Sequence, residues 1–216
     1  MSNPFDLLAG GDLDQLEEAL AADPSLAATR HASGASLLAW ACYVGKPAAM
    51  ALIRPHLPDL DPHDAIIADE IKAVQAHLTA GWDGNTLSPD GFTPLGLAAF
   101  FGRSDIFDLL LPLTRDVNER ASNAQQVAAI HAATALRNAR MVEKLLRAGA
   151  APDLAQADGF TALHVAAAHG DAAIVALLVL FGADPHLANA KGEDAFAQAR
   201  KNGHEWLVER LEASGR

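Results

Sequence analysis

Nine histidines and one cysteine are the residues whose types could support metal binding or nucleophilic catalysis. Metal sites need imidazole or thiolate ligands grouped at short recurring spacings, and a catalytic thiol needs a base beside it. Neither arrangement is legible. His169 has no cysteine or second histidine spaced with it as a ligand pair, so surface contact is its expected role. His56 and His63 flank the loop RPHLPDLDPHD, where adventitious metal capture is outweighed by an ordinary surface role. Cys42 lies in the Ala-rich segment SLLAWAC and is expected to be a buried, inert thiol. There is no G-x-S-x-G elbow and no G-x-x-x-x-G-K-[ST] loop, and Gly10-Gly11 precedes an acidic helix start that would repel phosphate. No pair of carboxylates stands out from ordinary surface acids. The expectation is therefore no catalytic residue, no cofactor and no metal.

The composition narrows the remaining classes. Half of the 216 residues are hydrophobic and only 6% are aromatic, so the core must be built from Ala, Leu, Val and Ile, which suits closely packed helices. The net charge is −11, and it is unevenly placed. Up to Leu110 there are 15 acids and 5 bases (−10); beyond it, 12 acids and 11 bases (−1). So acidic a chain gains nothing from a phosphate backbone, which excludes nucleic acid as the expected partner. One cysteine permits no internal disulfide and fits a reducing compartment. Met1 to Leu8 lacks the basic and apolar regions of a signal peptide. The longest nearly apolar run, Ala172 to Ala183, falls short of the roughly 20 residues of a membrane span. A cytoplasmic protein without a membrane partner is expected.

The elements that position these residues repeat. Gly34/Gly45, Gly91/Gly102, Gly159/Gly170 and Gly192/Gly203 are each 11 residues apart, and each pair encloses a helical segment: SLLAWAC, TPLGLAA, TALHVAA and DAFAQAR. A second amphipathic stretch follows each pair, as with Ile174, Val175 and Leu178 on one helical face. Toward the carboxyl end the period is 33 residues, from His131 to His164 and from Gly149 to Gly182. Toward the amino end it is a doubled unit of 57, from Gly34 to Gly91, and the units beginning near Asn3 and Asp61 are expected to have a shortened first helix. Thr93 and Thr161 are expected N-caps, and Pro94 stands at the first helical position.

DGFTPLGLAAFFG and DGFTALHVAAAHG, followed by RAGAAPDLA and LFGADPHLA, resemble the ankyrin repeat, whose pattern joins D-x-x-G-x-T-P-L-H-x-A-A-x-x-G to L-L-x-x-G-A-D. The resemblance implies an all-α solenoid of about seven stacked helix-turn-helix units with protruding turn loops. It runs over nearly the whole chain, as one domain with units near 3–30, 31–60, 61–86, 87–119, 120–154, 155–187 and 188–216. In the fifth unit Arg137 replaces the mid-unit glycine and NAQQ lengthens the tip. Acidic and polar residues at both ends look like the capping repeats of a complete array.

The resemblance also implies roles. His131 and His164 would tie neighbouring turn loops together through hydrogen bonds. The inner-helix positions that the pattern leaves variable would line a concave groove where such arrays meet protein partners: Trp40, Tyr43 and Val44 in the second unit, Leu97, Phe100 and Phe101 in the fourth, Val165, Ala168 and His169 in the sixth. Phe92 and Phe160, each after a tip glycine, either extend that surface or pack on the adjacent tip. Large rings on a surface are interface anchors, unless they fill a gap left by the weak third unit. The acidic setting favours a basic protein partner. Arg137, Arg140, Lys144 and Arg147 share one helical face, read as a solvated outer face or as a contact for acids. The expected function is a protein-interaction module, monomeric or weakly dimeric; the alternative is a self-associating architectural array.

Overall fold

The computed structural model describes residues 3–214, with side chains through residue 209; residues 215 and 216 of the last expected unit lie outside the described residues. Fourteen α-helices occur among the described residues, with two isolated bridges (Arg30 with Ser36, Ala155 with Thr161) and no strand. The chain divides into two compact units, Met1–Pro94 and Leu95–Arg216. The first holds α1 (Pro4–Gly10), α2 (Leu13–Ala22), α3 (Leu37–Tyr43), α4 (Met50–Ile53), α5 (Pro62–Ile67) and α6 (Ile71–Thr79). From the boundary onward come α7 (Pro94–Phe100), α8 (Ser104–Leu110), α9 (Ala129–Ala135), α10 (Ala139–Arg147), α11 (Ala162–Ala168), α12 (Ala172–Leu180), α13 (Ala195–Lys201) and α14 (Glu205–Ser214). The helices alternate as inner and outer members of consecutive pairs.

One pair shows why. Thr161 adopts the extended backbone of an N-cap and α11 begins after it. Its hydroxyl, however, lies 2.8 Å from His164 Nδ1 and caps no backbone amide, so the expected cap is filled through the ring. Gly170 (φ +63°) then turns the chain, and the Asp171 carboxylate accepts the Ile174 amide (3.2 Å) to start α12. Leu163, Ala166 and Ala167 of α11 are buried with Ile174, Val175 and Leu178 of α12. Helices of seven to nine residues are too short to persist alone, so they depend on this burial and on stacking: α11 lies between α9 and α13, and α10 packs on α12.

The first unit departs from the expected pattern in three ways. α1 is a full seven residues, so it is not shortened; Asn3 caps it and Pro4 occupies a first-turn position. α5 is short, at six, and only residues 57–61 connect it to the preceding turn Arg54–His56, so the turn loop is what this repeat lacks. Finally, the outer helix of the second pair is broken into 3-10 turns at Pro47–Ala49 and Arg54–His56 around the single turn of α4, because proline supplies no amide to continue a helix. Cys42 is half-buried rather than buried, with its sulfur 3.3 Å from that of Met50.

The mid-unit glycine does more than end a helix. A Cβ on Gly170 would lie 2.6 Å from the His204 ring, whereas one on Gly203 would meet nothing within 4 Å. Both glycines have positive φ (+63° and +79°). Gly170→Ala and Gly203→Ala should therefore share a strain cost of about 1 kcal/mol, and Gly170→Ala should lose roughly 1–3 kcal/mol more through crowding. Chemical denaturation of the two variants checks this; equal losses would show that His204 does not seat on Gly170.

Candidate protein-interaction surface

The buried histidines set the register. His131 Nδ1 accepts the Ala128 amide (3.1 Å), so its Nε2 carries the proton and donates to the Leu154 carbonyl at 2.7 Å. His164 repeats this with Thr161 N (3.2 Å) and Glu193 O (3.0 Å). Both rings are buried, and each reaches the turn segment of the next repeat, as the sequence resemblance implied. Burial lowers the His131 pKa against the opposing backbone bonds to Leu154 and Ala128. The neutral ring is the form this arrangement needs.

In Met1–Pro94 the expected contact residues are largely engaged within the unit. Trp40 is half-buried, stacked on His31 (centroids 3.9 Å) and edge-on to Phe5 (5.9 Å), and its indole nitrogen is buried with no hydrogen-bond partner. Tyr43 is half-buried and donates its hydroxyl to the Asp90 carboxylate (2.9 Å); burial, reinforced by the Asp90 charge, pushes the phenol above its ordinary range. Its ring lies 6.2 Å from that of half-buried Phe92. Val44 is half-buried as the residue that closes α3. His63 bonds the Thr86 carbonyl (2.8 Å) and sits edge-on to Trp82, so it is committed to structure.

A charged cluster that sequence reasoning did not single out joins α3 to α5. Ser36 caps α3 by accepting the Ala39 amide (3.1 Å) and donates to buried Asp64 (2.5 Å). Arg30 pairs with Asp61 and stands 3.9 Å from Asp64. Burial, then the Asp61 charge, push the Asp64 carboxyl up to about 6. Burial also opposes the charge on Asp61, but His63, the Asp64 amide and Arg30 together hold it well below the usual carboxylate range.

In Leu95–Arg216 the surface opens. Leu97 is 1% exposed and offers nothing to a partner, because its position on α7 faces the core. Phe100 is 44% exposed and meets half-buried Phe101 edge to face (5.1 Å). Leu136, one repeat on at the end of α9, is also 44% exposed, and its Cδ2 would lie 3.1 Å from a Cβ on Gly102. Exposed Ala135 precedes it. Leu136 was missed in the sequence because the groove positions were read only from the second, fourth and sixth units; the signal was the 35-residue offset from Phe101. Farther along, Val165 and Ala168 are half-buried and His169 is exposed at the end of α11. Phe160 is half-buried against the His164 ring (5.6 Å), which favours packing over display.

Residues 129–215 match the family model "Ankyrin repeats (3 copies)". These residues, α9 through α14, are ankyrin repeats. No curated protein matches the chain. Ankyrin repeats are generally protein–protein interaction modules and are typically not enzymes. Among the described residues no helix is long and apolar enough to cross a membrane, and no group of three or more His, Cys, Asp or Glu could hold a metal.

Within this ankyrin array the basic face of α10 is mostly neutralised. Arg137 pairs with Asp171 (3.3 Å), Lys144 with Asp108, and Arg147 with Glu143 (2.8 Å). Arg140 alone of the four has no ion-pair partner among the described residues.

The buried carboxylate makes a pH prediction. A carboxyl whose folded pKa is raised contributes stability that is complete below its unfolded value, near pH 4, and is lost as pH rises through about 6. Wild type should therefore lose stability relative to Asp64→Asn mainly between about pH 4 and about pH 6, with the loss complete near pH 7. His131, lowered by burial, acts in the opposite sense as pH falls, but both proteins carry it and it cancels in the difference. Urea unfolding of the two proteins across that window measures the effect; a pH-independent difference would contradict it.

Proposed function

We propose that the chain recognises another protein by binding rather than by catalysis, through a ridge on the inner-helix ends of Leu95–Arg216. We extend the repeat reading to all seven helix pairs. The observation that carries the proposal is the uncharged surface of Phe100, Phe101, Ala135 and Leu136, with two large side chains at 44% exposure on consecutive inner helices. Apolar side chains that stay exposed and adjacent favour burial against a partner. Val165, Ala168 and His169 continue the row with smaller and polar groups. The rings of Trp40 and Tyr43 support this surface less, since each already has partners inside its own unit.

A basic partner suits the charge. Residues 1–94 carry 13 acids and 4 bases, a field that accelerates encounter with a positive protein and is screened by salt. The single thiol, Cys42, fits a reducing, cytoplasmic setting.

Affinity capture from the native host, followed by titration of the captured protein against wild type, Phe100→Ala and Leu136→Ala, tests the ridge. Each truncation removes apolar area worth about 1.5–3 kcal/mol when fully buried, so binding should weaken roughly tenfold with little change in melting temperature. Unchanged affinity in both variants would reject the ridge.

A further inference from the structure

The helix α12, AAIVALLVL, carries no polar side chain along its nine residues. Ile174, Val175 and Leu178 face the core. The opposite stripe, Ala173, Ala176, Leu177 and Leu180, keeps three- and four-residue spacing, so these residues share the outer side. Leu180 is 77% exposed, the most exposed large hydrophobic side chain among the described residues. Val179 beside it is 37% exposed, and Trp206 on α14, one 33-residue period from Ala173, is 46% exposed. A helix apolar all round is ordinarily buried all round, and this one has one side bare.

The flanks say what covers it. Arg137 of the α9–α10 turn bonds Asp171 at the start of α12, and the His204 ring before α14 seats on Gly170, so α10 and α14 stand on either side of α12. On α10, Lys144 is paired with Asp108 and Arg147 with Glu143, which leaves Arg140 as the uncompensated positive charge of that flank. On α14, Glu205 stands 3.9 Å from Arg200, which leaves Glu209 as the uncompensated negative charge among the described side chains of that flank. Exposed Arg140 and Glu209 have no ion-pair partner among the described residues. With Arg140 on one flank and Glu209 on the other, the face reads positive, apolar, negative, an order that is complementary to itself.

We propose that this outer face is where a second copy of the chain docks, across a two-fold axis running parallel to α12. Such an axis lays α12 on the partner copy's α12 and α10 on the partner copy's α14, twice over, as an isologous contact requires. Two chains of charge −11 repel elsewhere, but on this face the charges balance. The small alanines at the start of α12 allow the helices a close approach, and Leu177 and Leu180 interdigitate beyond them. A contact of this size belongs to the weak class, with a dissociation constant on the order of tens to hundreds of micromolar. It is separate from the ridge of Phe100 and Leu136 and stands or falls without it.

Sedimentation velocity of the full chain, from roughly 5 to roughly 500 µM, is the test across that affinity range. Wild type should shift from monomer toward dimer as concentration rises. Leu180→Glu, at an exposed position, should stay monomeric throughout and melt as wild type does. Arg140→Glu should weaken dimerisation at least tenfold, and adding Glu209→Arg to the same chain should restore it. Wild type that stays monomeric throughout would overturn the proposal and leave the face to a different protein. Leu180→Glu that dimerises normally, or a charge exchange that restores nothing, would overturn it as well.

Discussion

A buried imidazole must satisfy both of its nitrogens, and in Leu95–Arg216 that requirement fixes where each repeat sits on the next. His131 and His164 each take a backbone amide at the start of their own helix and give a proton to a carbonyl of the following turn segment. Only one placement of the neighbour supplies that carbonyl. Helices this short have no stability to spare alone, so register and stability come from the same contact. Once the register is fixed, the ends of α9 and α11 emerge in line, and the side chains there form a surface rather than a scatter.

Met1–Pro94 reaches a similar end by other chemistry. Ser36 and Asp64 join α3 to α5 through a side-chain hydrogen bond, with Arg30 and Asp61 completing the charges. His63 reaches Thr86 O across 23 residues, the separation seen from His131 to Leu154, although it lies one position nearer its helix start. A neutral ring tolerates burial better than a carboxylate does, so the buried Asp64 carboxyl makes this unit sensitive to pH. The aromatic side chains of the unit turn inward in the same spirit: Trp40 fills the space between His31 and Phe5.

The sequence carried the helix pairs because glycine at a helix end is a steric requirement that leaves a mark. Where another residue accepts the same backbone the mark is fainter: Arg137 (φ +59°) takes the left-handed conformation in place of the mid-unit glycine, and Asp69 (φ +64°) does so after α5. Leu136 was passed over because groove positions were read only in alternate units. The shortened first helix expected near Asp61 is present as α5, but the loss of the turn loop before it was not foreseen, because a lost loop and a shortened helix compress a repeat alike. Groove positions inferred from pattern alone could not distinguish Leu97, which is core, from Phe100, which is surface, since one helical turn separates them and both are large and apolar. The Ser36–Asp64 link joins residues 28 apart that match no motif, so no spacing announced it.

The central claim is that the ends of the inner helices in Leu95–Arg216 are where a protein partner lands. Hydrogen–deuterium exchange of the chain, alone and bound to its captured partner, tests this most directly. The account predicts slowed amide exchange at residues 100–102 and 135–137, where α7 and α9 end, with α12 unaffected at concentrations that keep the chain monomeric. Protection confined to other segments, with those two unchanged, would contradict it.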